Sequence, residues 1–376
     1  MCIHPKDHQL WTARSGLARI ALAALLAVLL PNVLIEPAAA AKRIQSAVAL
    51  TPESIENARW SRDFTARKLS PVVFKAQVWL DRAGFSPGEI DAHGGENFDK
   101  ALRAYQQANG LESTGRLNEQ TWNALVNSST DPTIRNYTIA ARDVEGPFVE
   151  RTPKQFSDMA KLHRIAYQST RELLAEKFHM SEQLLSALNK SQTFDREGVE
   201  IVLANVREME FANGAAHSAK RLRNAAAYIS AKGDMDAFGK AERVEVSKSE
   251  RSVRVIGKDG KLIAFYPASI GSAEKPAPSG KFVVRSVDLN PTYHYNPKYA
   301  FKGQKATEPV TDPPGPNNPV GLVWIDLSAQ SYGIHGTPQP QNVSKTESHG
   351  CVRMTNWDAL ALAKLVHKGT PVDFID

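Results

Sequence analysis

The chain has 376 residues, of which 42% are hydrophobic, and its formal net charge at pH 7 is +6. This length accommodates two or three domains, and the apolar content is ordinary for globular proteins. The mild positive charge suits either an anionic polymer as partner or ordinary solubility. No long basic run or nucleic-acid motif accompanies it, so nucleic acid is not expected as a partner.

The first segment, residues 1–41, has the pattern of an export signal. Arg14 and Arg19 precede an uncharged apolar run at 20–30, and alanines at 38–41 offer small-residue cleavage sites. The apolar run has 11 residues, whereas a bilayer-spanning helix needs about 20. The alternative is an uncleaved anchor helix. We therefore expect an exported protein whose only contact with a membrane is through this signal.

Three helices are predicted within 70–127. Ser70 and Pro71 form a helix-start signal, and Gly84 ends this first helix. The second helix is indicated by apolar residues at i, i+3, i+4 and i+7, which are Phe98, Ala101, Leu102 and Tyr105. A third, short helix is predicted over about 118–126. Together they form a helical unit that is small but large enough to fold.

This segment resembles the helical peptidoglycan-binding domain family. The matching residues are Gln77, Leu80, Gly84, Ile90, Asp91, Phe98, Ala101, Tyr105, Gln106, Gly110, Leu111, Thr114, Gly115, Thr121 and Trp122. The loop at 91–95 departs from the family, because Asp-Ala-His-Gly-Gly replaces the more usual Asp-Gly-x-x-Gly. The resemblance implies binding to peptidoglycan, although most of the matched apolar residues are explained as core.

The next segment, 137–206, is predicted to fold as strand, helix, helix and strand. This order resembles a LysM glycan-binding module with a long insert after Val144, although Ala-Arg-Asp at 141–143 replaces the glycine-rich opening of that family. A helical domain without a ligand is the alternative. The charged, helix-compatible residues 207–241 are interpreted as a linker.

From residue 242 to 376 the pattern changes to that of a β-domain. Alternating apolar residues at 244–246, 253–255 and 262–266 predict strands, with Asp259 and Gly260 as a hairpin turn. Further strands are expected at 281–285 and 322–325, and one helix at about 357–368. The expected fold class is therefore multidomain α+β: a three-helix domain, a small mixed α/β module and a mainly-β C-terminal domain.

Cys351 is the first candidate for chemistry. The other cysteine, Cys2, lies in the predicted export signal, and an exported chain with one remaining cysteine cannot form an internal disulfide. A thiol in basic, flexible surroundings can be held as the nucleophilic thiolate. A lone cysteine is, however, more often a small buried residue.

The neighbours of Cys351 supply the remaining parts of a site for attack on an amide. His335 and His349 are the candidate bases. Gly350 leaves the backbone open, so that amide N–H groups can reach a developing oxyanion. Arg353 could hold a substrate carboxylate with both arms of its guanidinium.

The whole segment closely resembles the L,D-transpeptidase catalytic family. The matching stretches are Ile-His-Gly-Thr-Pro at 334–338, Ser-His-Gly-Cys-Val-Arg-Met at 348–354 and Gly-Thr-Pro-Val at 369–372. The resemblance implies that Cys351 is acylated by a peptidoglycan tetrapeptide stem, that His335 acts as the base, and that an acceptor amine resolves the thioester.

The resemblance also assigns residues around this pair. The residues expected to line the site or the oxyanion position are Gly336, Ser348, His349 and Gly350, and those expected to bind substrate are Tyr332 and Arg353. The family's Thr-Pro-x-Gly loop appears here as Ala-Pro-Ser-Gly at 277–280. Carbapenems are the implied inhibitors, the periplasm or cell wall is the expected location, and no metal or cofactor is expected.

Other interpretations remain open. Cysteine peptidases place the cysteine before the histidine, and here only His367 follows Cys351. A zinc site could draw on His335, His349, Cys351 and His294, but no Cys-x-x-Cys or His-Glu-x-x-His supports it. A wall-binding protein with a hydrolytic domain, such as an L,D-carboxypeptidase, or with an inactive one, is also possible.

Overall fold

The computed structural model describes residues 50–61, 69–209, 241–273, 275–299, 303–348 and 350–376. The predicted export signal, most of the predicted linker and His349 lie outside these residues. Among the helices that are described, none is both long enough and apolar enough to cross a membrane. The described residues belong to one compact unit, Ser46–Asp376.

Helices make up the first part of this unit. They are α1 (Pro52–Glu56), α2 (Pro71–Arg82), α3 (Glu96–Ala108) and α4 (Glu119–Ser128). The Ser70 hydroxyl caps α2 by accepting from the Val73 amide, and Asn118 caps α4 through the Thr121 amide. Trp79 of α2 and Trp122 of α4 meet edge to face, with ring centroids 5.1 Å apart. The helical fold predicted for this segment is confirmed.

The middle segment joins two strands through short helices. Its elements are β1 (Ile134–Thr138), α5 (Ala141–Val144), α6 (Phe156–Met159), α7 (Thr170–Lys177), α8 (Glu182–Leu188) and β2 (Glu200–Ala204). β1 and β2 pair antiparallel. The predicted strand–helix–helix–strand order is present. Two further helices are added: α5 lies before the insert that follows Val144, and α6 lies within it. Each of these two helices has four residues, which is too short to show a helical period.

The C-terminal segment is mainly β. Its strands are β3 (Arg243–Ser247), β4 (Ser252–Ile256), β5 (Leu262–Pro267), β6 (Ser269–Ile270), β7 (Gly280–Leu289), β8 (Tyr293–Tyr295), β9 (Val310–Asp312), β10 (Val323–Leu327), β11 (Gly333–His335), β12 (Val352–Arg353) and β13 (Pro371–Ile375). The main sheet has the order β5-β4-β3-β13-β7-β10-β11-β12-β6, and β8 and β9 form a separate hairpin.

One helix of this segment, α9 (Asn356–Leu365), follows β12 and is capped by Thr355. The sequence predicted this helix to run to about residue 368, which is wrong by one turn. Val366 has an extended backbone (φ −98°, ψ 160°), and the chain then turns through Gly369 at φ +93° into β13. The apolar period of α9 therefore ends before its predicted glycine stop.

The segments share their cores. Phe74 of α2, Leu174 of α7 and Leu360 of α9 belong to one buried apolar cluster, and Phe265 of β5 packs in a second cluster with the N-terminal helices. Because apolar surface is buried between the segments, each of them stabilises the others. The predicted domain boundaries at 127, 137, 206 and 242 remain predictions.

Candidate active site

Cys351 immediately precedes a short strand that runs beside the strand carrying His335. β12 pairs in parallel with β11, with Ile334 opposite Val352 and His335 opposite Arg353. Side chains alternate along strands, and paired residues of parallel strands project to the same side. The thiol, the imidazole and the guanidinium therefore share one face at this edge of the sheet.

The imidazole of His335 is held in a defined orientation. Its Nδ1 lies 2.6 Å from the carbonyl oxygen of Gly336, and its ring stacks on Trp324 with centroids 5.7 Å apart and an interplanar angle of 18°. A carbonyl can only accept a hydrogen bond, so Nδ1 carries the proton and donates. In the neutral ring, Nε2 therefore has the free lone pair and is available as a base.

His335 is nearly fully buried, and this sets its charge. Burial, helped by the nearby Arg353 guanidinium, lowers the pKa of His335 to about 4, and only the hydrogen bond to Gly336 acts in the opposite direction. At neutral pH the ring is therefore uncharged. This is the protonation state that a general base requires.

The Cys351 thiol is also uncharged at rest. Burial raises its pKa, while a backbone hydrogen bond with Gly333 and the charge of Arg353 lower it by less. Its Sγ lies 3.9 Å from the carbonyl oxygen of Ser331, to which the S–H group donates. Basic neighbours can hold a thiol as the thiolate, but here the loss of solvation raises the pKa by more than Arg353 lowers it. The sulfur must lose its proton during the reaction.

Ser348 fixes the loop that leads into Cys351. Its hydroxyl donates to the Cys351 carbonyl at 2.5 Å and accepts from the Gly271 amide at 2.6 Å, and its own amide donates to the Gly271 carbonyl at 3.0 Å. The side chain is buried, with 3% of its surface exposed. The Ser348 hydroxyl is therefore engaged in holding the loop that carries the nucleophile.

Gly350 and Tyr332 shape the approach to the sulfur. Gly350 has φ +104°, and a Cβ atom there would lie 2.9 Å from Cε1 of Tyr332, so both its backbone conformation and the available space favour glycine. The Tyr332 hydroxyl donates to the Pro276 carbonyl at 3.4 Å. Within the described residues, the amides of Gly350 and Cys351 donate to no backbone carbonyl. Backbone amides of this kind are the donors that an oxyanion needs.

Arg353 carries a charge that no described carboxylate neutralises. The guanidinium is half-buried and forms no ion pair with any Asp or Glu in the part of the chain that is described. Its charge acts on both the Cys351 thiol and the His335 ring. A substrate carboxylate is a suitable ligand for such a partly buried guanidinium, because it can accept two parallel hydrogen bonds from it.

The β8–β9 hairpin supplies residues that the sequence did not indicate. Tyr293 lies opposite Asp312 across this ladder. Burial raises the pKa of Tyr293, with smaller contributions from the charges of Asp312 and Cys351. Phe156, from the insert of the middle segment, packs on Tyr293 with centroids 5.3 Å apart. This strand has three residues, too few for the sequence to show an alternation.

The residues of the zinc alternative do not form a ligand set in the described structure. His294 lies on the exposed side of its strand, where its Nδ1 contacts the Thr311 hydroxyl at 2.8 Å. Within the described ranges, no group of three or more His, Cys, Asp or Glu side chains is arranged to hold a metal ion. His349, the fourth candidate ligand, falls outside those ranges.

A cavity of about 250 Å³ adjoins the loop before Cys351. Its lining includes the charged residues Lys248, Arg251 and Glu347, together with Gly271 and Pro276. A larger cavity of about 580 Å³ lies between the N-terminal helices, β5 and α9, and neither Cys351 nor His335 lines it. Cys351 and His335 line neither of these two cavities.

Two family models match the chain. The model of the L,D-transpeptidase catalytic domain matches residues 241–374, and the model of a peptidoglycan binding domain matches residues 70–125. The first range contains every residue of the candidate site.

Curated relatives carry the same family name. The chain is similar to the L,D-transpeptidase YqjB of Bacillus subtilis, with 32% identity over 138 residues that cover 35% of this chain and 70% of that protein. It is also similar to YkuD of Bacillus licheniformis, with 35% identity over 130 residues. These residues cover 35% of this chain and 63% of that protein. It is similar as well to YbiS of Escherichia coli, with 31% identity over 138 residues that cover 36% of this chain and 45% of that protein. The matches thus span about half to two thirds of these relatives.

Proposed function

Because the chain belongs to the L,D-transpeptidase family, we propose that it is an exported cysteine acyltransferase that acts on peptidoglycan. It takes an acyl group from a tetrapeptide stem as a Cys351 thioester and transfers it to an amine, forming 3–3 cross-links or links between a protein and the wall. The observation that carries this proposal is the shared sheet face of Cys351 and a neutral His335 whose Nε2 is free.

Acylation begins from the neutral pair. As Sγ of Cys351 attacks the stem carbonyl, Nε2 of His335 accepts the thiol proton, and the amides of Gly350 and Cys351 stabilise the oxyanion. The carbon–nitrogen bond then breaks. The leaving amine of the terminal amino acid takes the proton from the imidazolium, which returns His335 to its starting state.

Transfer repeats this sequence with the roles of the groups reversed. The acceptor amine attacks the thioester carbonyl and gives a proton to His335. When the carbon–sulfur bond breaks, that proton returns to the departing sulfur and restores the Cys351 thiol. Arg353 binds a carboxylate of one of the two stems, and Tyr332 lines the approach. His349 is proposed as a site-lining residue on the family resemblance alone.

The remaining parts of the chain are proposed to place the catalytic segment on its polymer. Residues 70–125 match the peptidoglycan binding domain model, and the net charge of +6 suits an anionic wall. The segment at 1–41 is proposed as the export signal, and the periplasm or cell wall as the location. The LysM-like segment is proposed as a second contact with glycan.

Incubation of the purified protein with a defined tetrapeptide muropeptide is expected to give a 3–3 cross-linked dimer, detected by mass spectrometry. A tripeptide without the dimer would indicate that water is the acceptor and that the enzyme is an L,D-carboxypeptidase. Absence of both products, with a free thiol demonstrated by labelling, would contradict the proposed function.

Carbapenem treatment is expected to leave one stable adduct on Cys351, whereas a penicillin is expected to react poorly or transiently. A β-lactam is a strained amide, which the thiol and its amide donors are arranged to attack; the preference for carbapenems follows from the family resemblance. Intact-mass measurement and digestion locate the adduct. An adduct on a serine would contradict a cysteine mechanism.

A further inference from the structure

Asn356 is a buried connector between three parts of the chain. It is the first residue of α9, and none of its surface is exposed. Its Oδ1 accepts from the Leu322 amide at 3.0 Å. Its Nδ2 donates to the Pro316 carbonyl at 3.2 Å and to Oε2 of Glu176 at 2.9 Å. The carboxamide is thus fully oriented by its partners, and one of these belongs to the middle segment.

The same carboxamide lies against the backbone that orients the base. A Cβ atom on Gly336 would lie only 2.2 Å from Oδ1 of Asn356, so the asparagine fills the space beside this glycine. The Gly336 carbonyl accepts the hydrogen bond from Nδ1 of His335. Because that carbonyl selects the tautomer and direction of the ring, a shift of Asn356 would be passed to the imidazole through one peptide group.

Glu176 anchors this contact from α7. Its carboxyl group is buried and also accepts from the Tyr167 hydroxyl at 3.2 Å. Burial raises the pKa of Glu176 to about 8, so the group is mainly an uncharged acid at neutral pH. One turn earlier, Glu172 accepts from Nδ2 of Asn317 at 2.8 Å. Residues four apart share a helix face, so α7 holds two asparagines of the catalytic segment.

We propose that α7 is a positioning element of the catalytic centre, in which Glu176 acts through Asn356 to fix the Gly336 carbonyl and thereby the orientation of His335. The middle segment then has a role in catalysis that does not depend on whether it binds glycan. This inference rests on the proposed function, because it assumes that His335 is the base.

Glu176→Leu is expected to lower the maximal rate of Cys351 acylation by imipenem about tenfold or more, a size typical for lost outer-shell partners. Leucine keeps the volume but leaves Nδ2 of Asn356 without its acceptor. Glu176→Gln is expected to stay within about twofold of wild type, because glutamine retains an acceptor oxygen and resembles the uncharged acid. Stopped-flow mixing or timed intact-mass measurement gives both the rate and the amplitude of acylation.

The amplitude separates positioning from stability. A variant that is only partly folded would lose amplitude while its folded molecules react at the normal rate; a positioning role lowers the rate at full amplitude. Ser86→Ala is the matched control. It removes another contact between segments, the 3.0 Å hydrogen bond from the Ser86 hydroxyl to Asp358 of α9, and this contact includes neither Asn356 nor Gly336. Its acylation rate is expected to be unchanged.

Each outcome is decisive. A wild-type rate in Glu176→Leu, or an equal loss of rate in Glu176→Gln and Ser86→Ala, would overturn the inference while leaving the proposed function intact. No acylation of the wild type would instead count against the proposed function. If Glu176→Leu does not fold, Glu176→Ala replaces it. The smaller alanine side chain leaves space that admits water near Asn356. The same comparison of acylation rate and amplitude applies to this variant.

Discussion

Cys351→Ala is expected to abolish turnover of a muropeptide substrate while the chain still folds. Cys351 is the only cysteine in the described residues, and Cys2 lies in the predicted export signal, so no other thiol can replace it. Alanine removes one sulfur atom from a position that is only half-buried, so the cost in stability should be small. Turnover is measured by chromatography of the reaction products, and folding by circular dichroism and thermal melting.

Cys351→Ser is the matched control for this prediction. It keeps a hydroxyl of similar size near the Ser331 carbonyl, but a hydroxyl is a far weaker nucleophile than a thiol when paired with the same base. We expect it to fold like wild type and to be inactive as well. Turnover by purified Cys351→Ala within tenfold of the wild-type rate would overturn the assignment of the nucleophile.

The second large effect is expected from His335→Asn, which should slow acylation by about 10²–10⁴-fold, the range typical for loss of a general base. Asparagine can still donate a hydrogen bond to the Gly336 carbonyl, but it has no basic nitrogen. Single-turnover acylation rates measure the effect, and His349→Ala is the comparison, for which we expect a smaller loss. If His349→Ala proved slower than His335→Asn, the two histidines would have exchanged roles.

The pH dependence of wild-type acylation provides an independent check on the same residue. The imidazole accepts a proton only when it is neutral, which holds above its pKa of about 4. The acylation rate should therefore persist from neutral pH downwards and fall only as the pH approaches that value. Return to pH 7 with full activity would show that the loss is titration and not unfolding. An acid limb near pH 6.5, the ordinary value for histidine, would contradict the buried, neutral base.

Local patterns predicted the elements that have enough residues to show a period. The apolar face of α3, the capped start of α2 and the alternation in β3 and β4 each depend on neighbours within the same element, and the structure contains all of them. The two- and three-residue strands β6, β8, β9, β11 and β12 were not predicted, because so few residues show no alternation. One of them, β11, nevertheless carries the proposed base His335, and another, β12, begins directly after the proposed nucleophile Cys351.

The sequence by itself determined the chemistry of the candidate site. A cysteine outside the predicted export signal, a histidine before glycine and an arginine two positions after the cysteine made Cys351, His335 and Arg353 candidates, and the resemblance to the L,D-transpeptidase family implied their roles. These signals are local, because the loop around the nucleophile needs particular residue types at adjacent positions.

Only the tertiary structure decided the charge states and the supports of that site. Basic neighbours in the sequence left a thiolate open, whereas burial favours the neutral thiol of Cys351 and the neutral ring of His335. Glu176 reaches Asn356 across 180 positions of the chain, a contact that no spacing rule contains. Desolvation and long-range hydrogen bonds depend on which surfaces are packed together, and this is fixed only when the three segments fold against one another.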